Sequence, residues 1–381
     1  MTKSVEDFRI RVREALQKAE AKSALASALS REDGIDGDVR PLYRILGDAG
    51  LLATTWPRTW GGRDADFVES VVLIEELTRN RVPVSLHYIT VHIVGSLLLE
   101  CGTRAQQQRH LPPMALGERY ACILFTEPDT GSDLGSVSCA ARRAGDGWVV
   151  TGRKLYNLKT SYADFALTLV RTDEHASRYL GLTLMLIPLD APGVSLRRIP
   201  TMIGEHFHDV ELDNVMVGPE AVLGAEGEGW SLVSTLFAAE RNGLDYYARG
   251  LHWLESAREL LCRLPPEQAA LSAAGLARLW ARLDASRLLS LHALQRLAQG
   301  RADVASASLA KWHCSESAQR IAWWAGETLD LTVLDPAAEV LAAAYREAAS
   351  LTIAGGASEV LLETVVGAKL LEGSSAGAVS A

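Results

Sequence analysis

What most constrains this chain is the period of its apolar residues, which runs at three to four, changes to two, and then returns to three to four. Helical spacing holds through residues 5–29, 39–52, 67–78 and 91–101, with Trp60-Gly61-Gly62 and Pro112-Pro113 as points where helices are expected to stop. From Ala121 to about Gly218 the period is two, in short runs at 148–150, 165–170, 182–187 and 210–217 split by Gly, Pro, Asp and Asn. Helical spacing resumes beyond Glu228, through 230–249, 252–263, 269–299, 302–326, 337–351 and 360–371. An α, β, α order without βαβ alternation argues against a doubly wound parallel sheet. It predicts an α+β chain with an N-terminal all-α lobe (1–118), a small central β domain (119–226) and a C-terminal helical bundle (227–381). Ser374 to Ala381, small and polar, reads as a frayed tail.

Composition narrows the function classes. A chain of 381 residues buries a large core, and a net charge of -9 with acids and bases interspersed leaves no Lys/Arg run to track a phosphate backbone. Nucleic acid is not an expected partner. Cys101, Cys122, Cys139, Cys262 and Cys314 are odd in number and form no Cys-x-x-Cys pair, against both a disulfide framework and a thiolate metal site. A reducing cytoplasm is the expected location. Residues 1–22 mix charges with apolar positions, unlike a signal peptide, and no apolar window approaches the roughly 18 residues of a membrane span. Neither a Gly-x-Ser-x-Gly elbow nor a phosphate-binding Gly-rich Lys loop is present, so hydrolase and NTPase chemistry lack support.

The run Phe125-Thr126-Glu127-Pro128-Asp129-Thr130-Gly131-Ser132-Asp133, followed by Gly152-Arg153-Lys154, reads as a turn-rich, hydroxyl-bearing loop leaving one strand beside another, a surface on which a flat ligand can lie. This run resembles the signature of the acyl-CoA dehydrogenase family. The segments from Gly102 to Glu118, from Ile203-Gly204 to Val217, and Val222 to Gly229 resemble the family as well, so the likeness covers nearly the whole chain. It implies the same three parts, with a C-terminal four-helix bundle, and FAD as cofactor. It also implies oxidation of an acyl thioester to the enoyl thioester: a carboxylate takes the α-proton, the flavin takes the β-hydride, and donors polarise the carbonyl.

Residue by residue, the resemblance assigns Ile123, Phe125 and Thr126 to the flavin ring and Gly131 with Ser132 to the loop near cofactor and thioester. The family's commoner base lies in a C-terminal Tyr-Glu-Gly-Thr motif, which here reads Ala354-Gly355-Gly356-Ala357-Ser358-Glu359, with Gly355 in the base's place. In other branches the base is a Glu just before an Arg on the helix opening the last domain, and Glu240-Arg241 matches it. Glu240 is therefore the expected base, against the plainer reading of a helical Glu on a solvated face. Arg241 matches a position used for CoA phosphate, Gly355 and Gly356 fall at the substrate, and Ala357 and Glu359 fall at the cofactor. Tyr246, nearly two turns beyond Glu240 on one expected helix, is placed to approach the acyl group.

Departures accompany the match. The family's Lys-x-Trp-Ile-Thr strand appears as Lys154-Leu155-Tyr156-Asn157-Leu158, putting Tyr156 and Leu158 at the flavin in place of Trp and Thr. The Arg-x-x-Phe-Gly and Gln-x-x-Gly-Gly-x-Gly motifs that reach FAD diphosphate are not recognisable in 257–263 or in Trp324-Ala325-Gly326-Glu327. Such erosion resembles relatives of secondary metabolism, some acting on carrier-protein thioesters, so acyl-CoA and acyl-carrier-protein both stand as substrates. Electrons are expected to pass to an electron-transfer flavoprotein or to oxygen, and the chain to form a homodimer or homotetramer. Two alternatives stay open: a flavoenzyme of the same fold with different regiochemistry or acceptor, and a catalytically silent acyl-binding or structural subunit. His206-x-His208-Asp209 invites a metal reading but lacks a third ligand, and no metal is expected.

Overall fold

The computed structural model describes residues 3–29, 37–203, 205–301, 303–329, 331 and 336–377, with side chains of the last helix described to 368. By its contacts the chain divides into two units, 1–236 and 237–381.

The first unit opens with α1 (Lys3–Gln17) and α2 (Ala19–Leu29), two helices where one was expected over 5–29. Val5, Phe8, Val12, Ala15 and Leu16 form the buried stripe of α1. Next come α3 (Arg40–Asp48) and α4 (Phe67–Arg79), the latter capped by Asp66, whose carboxylate accepts from Val68 N at 2.9 Å. α4 is buried on nearly every side, and its Glu75 and Glu76 meet Arg9 of α1. The expected helix over 91–101 is a composite: α5 (Ser85–His87), a π-helical stretch Tyr88–Gly95, and α6 (Ser96–Cys101).

α7 (Arg104–Ala115) begins at a Thr103/Gln106 capping box and runs through Pro112-Pro113 rather than stopping there. A proline removes a backbone donor and crowds the preceding turn. Here both prolines sit in the final turn, and their carbonyls still accept, from Leu116 N and from Glu118 N. The chain then enters the β layer: β1 (Ala121–Leu124), β2 (Ala140–Ala144), β3 (Gly147–Leu158), β4 (Phe165–Arg171), β5 (Leu182–Pro188), β6 (Val194–Ile199), β7 (Phe207–Val217) and β8 (Val222–Leu223).

These form one mixed sheet in the order β6-β7-β3-β2-β4-β5-β8, with β1 parallel to β4. Cys122, Leu124, Trp148, Val150, Val210, Leu212 and Val215 fill its core. Because side chains alternate along a strand, Ile123 of β1 faces away from that core. A register shift in the β3/β7 pairing between Lys154 and Asn157 takes Leu155 and Tyr156 out of the ladder. Gly204, part of the exit segment quoted above, lies outside the described residues.

The second unit contains the last turn of α8 (Gly229–Glu240), then α9 (Leu244–Leu261), α10 (Pro266–Ala298), α11 (Val304–Thr328), α12 (Pro336–Leu351) and α13 (Ser358–Gly377). α9 to α12 pack together, and α13 lies on α11. Small residues line α11 where its neighbours approach: Ala307, Ala310, Cys314, Ala318, Ala322 and Ala325 are all buried.

The expected helix over 230–249 is broken. Gly243 takes φ +78, which L side chains avoid, and a Cβ there would lie 2.8 Å from Cys314 Sγ and 2.9 Å from Ala310 O. Asn242 closes the break, donating to Ala239 O (2.7 Å) and accepting from Leu244 N (2.9 Å). The helix expected over 252–263 is the continuation of α9. Of the expected frayed tail, 374–377 continue α13, and 378–381 lie outside the described residues.

Candidate active site

In the first unit the loop after β1 is held from behind by buried charge. Glu127, 4% exposed, accepts from Ser138 N and Oγ (2.7 Å each), Cys139 N (2.9 Å) and Lys154 Nζ (2.9 Å). Lys154 spends its remaining protons on Phe125 O (3.1 Å) and Leu169 O (2.7 Å). Burial pushes the Glu127 carboxyl up, yet Lys154 and the amides outweigh it and hold it below the usual range. Paired backbone bonds between Glu127 and Thr130 pinch the turn, and Leu155 N, released by the irregularity in β3, donates to Thr126 O at 2.8 Å.

Of the residues the sequence singled out here, all but Phe125 are left accessible. Thr126, Ile123 and Leu158 are half-buried, Ser132 is exposed, and a Cβ at Gly131 would meet nothing within 4 Å. Tyr156, at φ +57, turns its ring to solvent (58% exposed) and touches Phe207 edge-on. Phe125 is different, since its side chain is buried and its carbonyl belongs to Lys154. An accessible apolar surface beside a hydroxyl and open glycine backbone would accommodate an isoalloxazine ring, and Thr126, Gly131, Ser132, Tyr156 and Leu158 are the residues that could line it.

In the second unit four elements converge on bare backbone. Gly355 and Gly356, between α12 and α13, take φ +66 and +109. A Cβ at Gly355 would lie 3.1 Å from Tyr246 Oη, 3.7 Å from Glu240 Oε1 and 3.8 Å from Lys311 Cε. One at Gly356 would lie 3.3 Å from the Arg241 guanidinium. The structure thus gathers Glu240, Arg241, Tyr246, Gly355 and Gly356 as the sequence anticipated, with one correction. Tyr246 is not on the Glu240 helix but in the first turn of α9, beyond the Gly243 break, and its hydroxyl donates to Ala354 O at 3.2 Å. Ala357 is half-buried, while Glu359 is exposed in the first turn of α13.

Glu240 closes α8 with a half-buried side chain, not on a solvated face. Burial raises its pKa; Arg241 and Lys311 pull it down, and Asp245 pushes it up. Sequence reasoning missed Lys311 and Asp245. Lys311, 1% exposed in mid α11, donates to Leu351 O (2.9 Å) and Gly356 O (2.8 Å) and lies 5.0 Å from the Tyr246 ring centre. Burial lowers its pKa to about 8, against the pull of Asp245 and Glu240. The missed signal was its place on the stripe Ala307, Lys311, Cys314, Ala318, where a cation needs a reason. Arg241 is buried, stacks 3.8 Å from the Phe237 ring centre and leaves Nε without a protein partner.

Elsewhere, Asp209 is taken by Arg153 (2.7 Å) and Arg197, and those bonds hold its carboxyl down to about 2. His206 lies 2.6 Å from Arg198. Where the family's diphosphate motifs would fall, Ala257 is core in α9, and Gly326 sits inside α11 with Tyr345 2.5 Å from where its Cβ would be. Among the described residues no helix is long and apolar enough to cross a membrane.

Comparison with known proteins agrees across the chain. It matches the N-terminal (2–118), middle (122–215) and C-terminal (227–370) domain profiles described for acyl-CoA dehydrogenase. It is 31% identical over 322 residues to the acyl-CoA dehydrogenase IpdE1 of Mycobacterium tuberculosis (strain ATCC 25618 / H37Rv), covering 81% of this chain and 83% of the relative. Among solved structures, a Tcur3481-Tcur3483 steroid ACAD matches with TM-score 0.85 at 26% identity, over 97% of this chain and 98% of that one. The ChsE4-ChsE5 complex from Mycobacterium tuberculosis matches with TM-score 0.81 at 25% identity, over 96% of each chain.

Proposed function

We propose that this chain, which belongs to the acyl-CoA dehydrogenase family, oxidises an acyl-CoA to its enoyl-CoA with Glu240 as the base that takes the α-proton. FAD is the cofactor, and when bound it supplies the acceptor for the β-hydrogen. The observation that carries the reading is the space kept open before the Glu240 carboxylate. Gly355 has no side chain, and any Cβ there would sit 3.7 Å from Oε1 and 3.1 Å from Tyr246 Oη, in the volume a reacting carbon needs.

Each residue then has a task. Glu240, its pKa raised by burial, is a stronger base than an ordinary carboxylate once ionised. Lys311 holds the Leu351 and Gly356 carbonyls and so fixes the loop that carries Gly355. Arg241, a buried cation with a free Nε, faces an anionic part of the CoA. Tyr246 closes the second side by its bond to Ala354 O.

The acyl group we assign is alicyclic, by likeness to the steroid ACAD and to the cyclohexane-1-carbonyl-CoA dehydrogenase of Geobacter metallireducens (29% identical over 343 residues). The diphosphate end of FAD, for which this chain lacks the family's motifs, is met by a neighbouring subunit. The two-chain names of the related structures support a non-identical one. The test incubates the flavin-loaded protein, alone and co-expressed with a related chain, with straight-chain and alicyclic acyl-CoAs under an artificial electron acceptor. Mass spectrometry should find a product lighter by two hydrogens with the double bond next to the carbonyl. A double bond further along the chain, or no product from a yellow protein in either preparation, would refute the reading.

A further inference from the structure

A second polar recess lies in the first unit, where α7 and the strand that follows it meet the β layer. It is a cleft of about 170 Å³ bordered by Arg109, His110, Arg119, Phe165, Met216 and Glu220 among others. Phe165 underlies two of the polar groups: the His110 ring is centred 4.4 Å from it and the Arg119 guanidinium lies 5.2 Å above it. His110 is 6% exposed, and its Nδ1 has no partner. Arg119 Nε is likewise buried and unpartnered.

Charge balance is what makes the recess informative. Among the described residues, neither Arg109 nor Arg119 has a carboxylate at ion-pair distance. Asp164 and Asp190 act on Arg119 only from further away, and Asp164 is occupied by Tyr120 N at 2.7 Å. Glu220 folds back over Gly218, within 2.6 Å of where a Cβ would stand, while Gln106 ties down its carbonyl at 2.9 Å. A partly buried guanidinium without a counter-ion, beside a buried imidazole nitrogen without a partner, is costly unless something else completes both.

We propose that this cleft binds a small oxyanion, the phosphate or carboxylate group of a low-molecular-weight ligand, between Arg109, His110 and Arg119. The planar guanidinium of Arg119 matches two oxygens, His110 supplies a buried nitrogen, and Arg109 at the mouth adds charge. Burial, with Arg119 and Arg109 nearby, holds His110 down to about 4, which keeps it neutral at pH 7. An anion there favours the imidazolium, and binding should raise that value.

The experiment titrates the flavin-loaded protein with inorganic phosphate and separately with acetate, by calorimetry and by following His110 ring resonances against pH. Saturable one-site binding of either ion is expected, with phosphate preference marking a phosphoryl ligand and acetate preference a carboxylate ligand. Arg119→Gln and His110→Phe, the latter keeping the ring on Phe165, should each weaken binding by at least about tenfold with acyl-CoA turnover unchanged. Should Arg119→Gln fail to fold, Arg109→Gln at an exposed position decides with the same expectation. Absence of saturable binding by both ions, binding undiminished in these variants, or a His110 titration unmoved by the ions would overturn the proposal.

Discussion

Lys154→Met tests how the loop from Phe125 to Asp133, proposed to meet the flavin, is held. Lys154 and Glu127 are 0% and 4% exposed as side chains, and the ammonium joins the carboxylate to the carbonyls of Phe125 and Leu169. Methionine keeps the length and removes the charge. Glu127 is then left buried with only the Ser138 and Cys139 donors, and two carbonyls lose their partner. Removing one member of a buried pair costs roughly 3–5 kcal/mol, to which unpaired carbonyls add and relaxation subtracts. For the unit 1–236 that contains it, at about 2–4 °C per kcal/mol, the melting temperature should fall by roughly 10 °C.

Far-UV circular dichroism and flavin fluorescence, recorded on one sample, check this, with flavin released ahead of global unfolding because the loop loosens first. Glu127→Gln in the same background should recover part of the loss, since no buried charge is then left over. The pH dependence has a definite sign. The net effect on Glu127 is a lowered pKa, so its stabilisation is present above the ordinary carboxylate range and fades as pH falls through the folded value. The gap between wild type and variant should therefore narrow on acidification. A Lys154→Met protein that melts within about 2 °C of wild type and keeps its flavin would refute the reasoning.

Other outcomes follow from the second unit. On the proposal that Glu240 is the base it acts ionised, and because burial raises its pKa, kcat/KM should fall on the acid side at a pH above the ordinary carboxylate range. Lys311→Met should move that limb to still higher pH, because Lys311 now pulls Glu240 down, while Arg241 and Asp245 continue to act on it. The same variant leaves two carbonyls unpaired, at about 1–3 kcal/mol each, measurable by denaturant titration. Gly355→Ala should cost about 1–2 kcal/mol for its left-handed backbone and lower kcat as its Cβ enters the space before Glu240.

How far the sequence could be read depends on whether the signal was local. The loop from Phe125 to Asp133 and the pair Glu240-Arg241 are contiguous, so both were legible. The adjacent glycines 355 and 356 also marked their place. The break at Gly243 was not legible, because apolar residues continue at helical spacing across it. What forces it is the close approach of Cys314 and Ala310, far along the chain. Lys311 was passed over because a lysine in a helix usually lies in solvent, and only its register with Ala307 and Cys314 marks it as buried. Pro112-Pro113 read as a stop, yet a helix tolerates proline in a final turn whose carbonyls find donors beyond it. β6 escaped notice because Val194–Ile199 is exposed along most of its length and its short Val194-Ser195-Leu196-Arg197 alternation is broken by Arg198.

Anaerobic single-turnover reduction of the bound flavin by acyl-CoA, in wild type and in Glu240→Gln, tests the central claim most directly. Glu240 is costly to ionise where it sits, so the neutral amide should keep FAD and leave the fold at least as stable. Bleaching of the flavin should nevertheless slow by about two to four orders of magnitude. A variant that holds FAD and bleaches at the wild-type rate would show that the α-proton goes elsewhere.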